Sequence, residues 1–169
     1  PKWLNYEAEG KTPLLEGWRT CFSTIRDYVN NYPTGSVLLI TLTDGLFHEM
    51  NLTENVKQEL IDLQKVSTGE NSFLHLIGHI SPDGEEPMLF PIDKPDDEYK
   101  EFLFNISTKL PTHLFENGST TFAGVEVEAN SKAYVHNADH GLLSELIQLG
   151  SRFVDGNIKK TTLECSEEE

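Results

Sequence analysis

The stretch that decides the fold is Val37-Leu38-Leu39-Ile40-Thr41-Leu42-Thr43, followed at once by Asp44-Gly45. Seven residues without polar alternation or a charge are the pattern of a strand covered on both faces, as in a parallel sheet flanked by helices. Asp44-Gly45 then reads as the end of that strand. It sets an acidic, ligand-facing residue at the carboxyl edge of an α/β sheet, where ligands of open α/β sheets bind.

The flanking segments fit a parallel sheet. Upstream, Thr12 is placed to cap a helix and Pro13 suits its first position, where a missing N–H costs nothing. Leu14, Trp18, Cys21, Phe22, Ile25, Tyr28, Val29 and Tyr32 recur at three- and four-residue spacing and predict one apolar helix face. Asn31, Pro33 and Gly35 end it. Downstream, Asn51 and Glu54 resemble a capping box for a helix carrying Leu52, Val56, Leu60 and Leu63. A second apolar run, Phe73 to Ile80, completes a strand–helix–strand unit.

Beyond that unit, Ser81 to Pro95 is rich in Pro, Asp and Glu and reads as an irregular loop. Asp96 is placed to cap a helix with Tyr99, Phe102, Leu103, Ile106 and Leu110 inward. Asn117 to Gly124 reads as loop, Ala133 to His136 as a short strand and Leu142 to Leu149 as a last helix. The predicted fold is α/β, a three-layer αβα sandwich with a mainly parallel, Rossmann-like sheet. Residues 1–155 form one domain and residues 156–169 an acidic tail.

Composition narrows the function classes. The chain has 169 residues, 37% hydrophobic and 24% charged, with a formal net charge of −15. Such a charge opposes phosphate backbones and anionic lipid, which call for clustered Lys and Arg, so no nucleic acid and no membrane are expected as partners. The sequence contains Cys21, on the predicted apolar helix face, and Cys165, in the acidic tail. That pattern argues against a disulfide framework and for a reducing, cytoplasmic compartment. Asn51, Asn105 and Asn117 begin Asn-x-Ser/Thr triplets of a kind that arises by chance, and Asn105 falls inside a predicted helix. The chain opens at Pro1, as a processed or trimmed product would.

Asp44 and Thr12 are the candidate metal-site residues. A carboxylate at a strand end and a hydroxyl from a second loop suit a hard cation such as Mg²⁺, which takes oxygen ligands and keeps several waters. Read alone, Thr12 is a helix cap and Asp44-Gly45 a turn dipeptide. Together, Gly10-Lys11-Thr12-Pro13-Leu14, an amphipathic helix, an apolar strand and Thr43-Asp44-Gly45 form an ordered set that resembles the von Willebrand factor A (VWA) domain. FLHLIGHIS, PMLFP, DDEYKEFLFNISTKLP and YVHNADHGLLSELIQLGSRF look like a bacterial, cytoplasmic branch of that superfamily, and the resemblance runs from about Glu9 to Phe153.

The resemblance implies a metal-ion-dependent adhesion site in which Thr12 touches the metal and Asp44 reaches it through water. It implies Mg²⁺, or Mn²⁺ or Ca²⁺, and a protein partner whose acidic group completes the metal shell. The family's first motif, Asp-x-Ser-x-Ser on the first strand, is absent from this sequence. The site is therefore expected to be weak or incomplete, and the strand from Val37 to Leu42 to present an unpaired apolar edge. A complementing chain, a dimer, or residues 1–9 with Trp3, Leu4 and Tyr6 are the expected covers.

The six histidines raise an enzyme reading. His75 and His79 share one face of a predicted strand and are expected to be partly buried and structural, with no Glu or Cys completing a zinc set. His136 and His140 flank Asn137-Ala138-Asp139 and read as parts of a turn. Neither a nucleophile elbow nor a phosphate-binding loop is present, so no catalysis is expected. Two other readings stay open: a small metal-dependent hydrolase using Asp44 with His48 or His79, and a structural fragment of a larger assembly.

Overall fold

In a computed structural model of the chain, the residues described are 14–33, 35–43, 54–68, 73–80, 86–111, 119–122, 125–128, 130–137, 139 and 141–153. Among them are α1 (Leu14–Asn31), β1 (Val37–Thr43), α2 (Glu54–Thr68), β2 (Phe73–His79), β3 (Met88–Leu89), α3 (Glu98–Ile106), β4 (Ser119–Phe122), β5 (Val125–Glu128), β6 (Tyr134–His136) and α4 (141–153). The described residues are thus mixed α/β, with four helices and a four-stranded, mostly parallel sheet. The sheet order is β1-β2-β6-β3, and β4-β5 form a separate hairpin.

β1 and β2 run parallel in unbroken register from Val37 opposite Phe73 to Thr43 opposite His79. β6 lies parallel to β2 on its other side, with His136 opposite His79. It covers only the last three of the seven residues of β2. Further back the segment after α3 takes over, with His75 N–H donating to Thr108 Oγ1 at 3.0 Å and Thr108 N–H to the His75 carbonyl at 3.4 Å. The backbone of a buried strand is in this way satisfied where its neighbouring strand is too short.

Period-two alternation sorts the sheet's side chains into two cores. Trp18, Phe22 and Ile25 of α1, Leu60 of α2 and Phe102, Leu103 and Ile106 of α3 pack with Ile77 and Tyr134. Leu146, Leu149 and Phe153 of α4 pack with Leu74, Leu76 and Val135 in the second. α4 sits very close to the sheet. A Cβ on Gly150 would meet Leu38 Cδ2 at 2.8 Å, and one on Gly78 would meet Leu42 Cδ2 at 2.9 Å.

Several expectations need correction. Tyr28 and Tyr32 are 42% and 59% exposed and stack on each other at 4.9 Å, so the buried face of α1 stops at Ile25 and Val29. The cap of α3 is Asp97, whose carboxylate accepts from Lys100 N–H at 2.8 Å, rather than Asp96. α3 ends at Ile106, and Leu110 belongs to the other core. β3 lies within the stretch read as an irregular loop, because its two residues are too few to carry periodicity. The hairpin strand β4 likewise falls within a predicted loop. Among the described residues β1 is paired on one side only, by β2.

Candidate functional site at the carboxyl edge of the sheet

The three parallel strands β1, β2 and β6 end on a register-matched row: Thr43, His79 and His136. All three are buried, at 5%, 4% and 2% exposure. A polar residue at the end of each apolar strand is what a carboxyl-edge site needs, since side chains there reach past the sheet while the strand bodies stay anchored. The row is held from beneath by backbone bonds. Ile80 N–H donates to the Thr43 carbonyl at 2.8 Å, and Asn137 N–H to the His79 carbonyl at 2.7 Å. Asn137 has φ of 55°, a left-handed conformation that Asn tolerates better than most residues, and it turns the chain away directly after β6.

His79 and His136 face each other through their Nδ1 atoms, 2.8 Å apart, with ring centroids at 4.9 Å. One Nδ1 must carry the hydrogen and the other accept it, because two N–H groups at this distance would repel. Tyr99, from the first turn of α3, sets its ring edgewise on His79 at 5.2 Å and hydrogen-bonds with the Thr43 hydroxyl. Burial pushes its phenol up to about 12, partly offset by the Thr43 bond, so Tyr99 stays neutral and able to donate over the physiological range.

A second polar cluster lies deeper on the same face. Trp18 Nε1–H donates to Thr41 Oγ1 at 2.9 Å, and Thr41 Oγ1 is 2.9 Å from His75 Nε2. The indole is donor only, so Thr41 Oγ1 accepts from it, and the hydroxyl's second lone pair and its hydrogen let it pair with His75 Nε2 whichever ring nitrogen carries the imidazole hydrogen. The Ile106 carbonyl favours a charged ring but is not aligned to complete a hydrogen bond with Nδ1. Burial dominates and, with the Lys132 charge adding to it, holds the His75 pKa down to about 3. His75 is a neutral core residue, fully rather than partly buried.

The sequence-predicted metal residues Thr12 and Asp44 lie outside the described residues, as do His48 and His140. Asp44 follows Thr43 directly in sequence, and Thr43 closes β1. His136 is the buried last residue of β6 instead of part of a turn. The residues missed by sequence reading are Thr43, Tyr99 and His136. A signal for two of them was present, since Thr43 and His136 each close an apolar strand, but their place beside His79 needs the register. Among the described residues no group of three His, Cys, Asp or Glu side chains could hold a metal ion. The hydroxyls and imidazoles described at the edge include no carboxylate, so a hard cation would depend on Asp44 and Thr12. Cys21 is a free thiol, half-buried on α1. No described helix is long and apolar enough to cross a membrane.

No family model matches the chain, and no curated protein or solved structure matches it either.

Proposed function

We propose that the chain is a protein-binding module of VWA type, built as a three-layer αβα sandwich, whose partner is engaged at the carboxyl edge of the sheet through a divalent cation. The observation that carries this reading is the end of β1. Its last residue, Thr43, stands in a row with the last residues of two further parallel strands, and the next residue in the sequence is the carboxylate Asp44.

In this reading Asp44 and Thr12 are the metal-site residues for Mg²⁺, Mn²⁺ or Ca²⁺, with water and an acidic group of the protein partner supplying the remaining oxygens. Two protein ligands of about six leave a weak site. The module has no catalytic role and works in the cytoplasm. The outer edge of β1, an uncharged seven-residue strand, is covered by a complementing chain or by a second copy in a homodimer or heteromer.

Calorimetric titration of the chain with Mg²⁺ and with Mn²⁺ tests the metal site. Weak binding that Asp44→Ala removes is the expected result. Equal binding by the parent and the Asp44→Ala variant would refute the site, and no binding by either would leave the structural-fragment reading in its place.

A further inference from the structure

We propose that Lys132 is a covalent modification site, a nucleophilic amine that accepts a small acyl group from thioester donors. The inference stands apart from the reading of the carboxyl edge, because Lys132 precedes β6 at the opposite end of the sheet. It starts from the groups around the amine. Lys132 Nζ donates to the Ser107 carbonyl at 2.6 Å and, more weakly, to the Asn105 carbonyl at 3.5 Å, on either side of the last residue of α3. It also lies 5.2 Å from the centre of the Phe104 ring. Among the described residues no carboxylate forms an ion pair with it.

The side chain is half-buried and grows from a fixed point. Lys132 N–H donates to the Pro91 carbonyl at 3.0 Å, and Ala133 N–H to the Thr108 carbonyl at 2.8 Å. Lys109 is the antiparallel bridge partner of Lys132, so the fold sets two lysines side by side. Burial lowers the Lys132 pKa to about 8 from the ordinary 10.5, and the Lys109 charge adds to the effect. The carbonyls and the Phe104 ring favour the ammonium but are outweighed. At pH 8 about half of the chains hold the free amine, where an ordinary lysine offers about one in three hundred.

A neutral amine has two hydrogens and one lone pair. With its hydrogens on the Ser107 and Asn105 carbonyls, the lone pair faces away from the end of α3. Attack of that lone pair on a thioester carbonyl carbon forms the C–N bond and puts positive charge on nitrogen. The carbonyls at the negative end of the helix stabilise this charge as it develops. The C–S bond then breaks with its electron pair going to sulfur, and the surplus proton on nitrogen passes to the thiolate. An amide on Lys132 and a free thiol result. Half-burial of the side chain favours a donor whose acyl group is short.

The test is trace labelling of the folded chain with S-acetyl-N-acetylcysteamine, a simple acetyl thioester, read by peptide mass spectrometry. At pH 7.5 Lys132 should be acetylated about tenfold faster, or more, than Lys65, an exposed lysine on α2. In urea, where the fold is lost, the ratio should fall to about one, because both lysines then have ordinary pKa values. It should also shrink as the pH rises to 10.5, where other lysines lose their protons too. Labelling of Lys132 no faster than Lys65 in the folded chain would overturn the site, and so would an advantage that persists unchanged in urea.

Discussion

Thr and His occur twice on the same face of the same two strands, and the two sets have opposite surroundings. Thr41 and His75 are sealed beneath Trp18 and Phe22, with the indole donating to Thr41 and burial keeping His75 neutral. Thr43 stands one pleat repeat further along β1, and His79 two repeats further along β2. There the hydroxyl meets Tyr99 and the imidazole meets another imidazole, whose shared hydrogen can sit on either ring. The first set is a neutral cluster inside the core. The second closes its strands at the edge where α/β ligands bind. A buried histidine is therefore not informative by itself; what separates structure from site is where along its strand it stands.

The largest effect that would sharpen this contrast is Thr41→Val. It removes the Thr41 partner of the buried Trp18 N–H and His75 Nε2, at about 1 to 3 kcal/mol each, so urea unfolding should show a loss of about 2 to 6 kcal/mol. Thr43→Val at the edge should cost about 1 kcal/mol. Equal losses at the two positions would break the contrast.

Acid titration gives an effect with a definite sign. The folded-state pKa of His75 is held at about 3, against 6.5 for the free group. The unfolded chain therefore binds the extra proton first as pH falls. The His75 contribution to stability is fully present above pH 6.5 and is lost progressively as pH falls from 6.5 towards 3. For one proton the slope is at most about 1.4 kcal/mol per pH unit. Unfolding free energies measured at several pH values in that window should slope less steeply in His75→Leu than in the parent. Parallel slopes would mean that His75 is not the sealed residue described here.

Least costly is Tyr99→Phe, which removes the bond to Thr43 but keeps the ring against His79. About 0.5 to 1.5 kcal/mol is expected from chemical unfolding. A variant as deleterious as Thr41→Val would place Tyr99 with the sealed cluster.

Much of the fold is legible because its signals are local. Uniform apolar runs mark β1 and β2, and three- and four-residue spacing marks α1 and α2. The stretch that failed, Ser81 to Pro95, hides β3, whose pairing is set by β6 far along the chain rather than by its own two residues. The hairpin β4-β5 is a different failure. Val125-Glu126-Val127-Glu128 alternates with period two, and Val127 is buried as that pattern requires, so the signal existed beside a Gly- and Thr-rich stretch that masked it. For the candidate site, sequence located the strand ends but not their side-by-side order. His79 and His136 are 57 positions apart, and only the β2-β6 register brings their rings together.

That register also orders the protein's assembly in time. Among the described residues β3 pairs in the sheet only with β6, so it leaves the ribosome before the strand that holds it exists. About 45 residues separate the two, which at 5 to 20 residues per second is roughly 2 to 9 seconds of synthesis. During that interval the end of β2 from Ile77 to His79 lacks the strand that pairs with it in the finished fold.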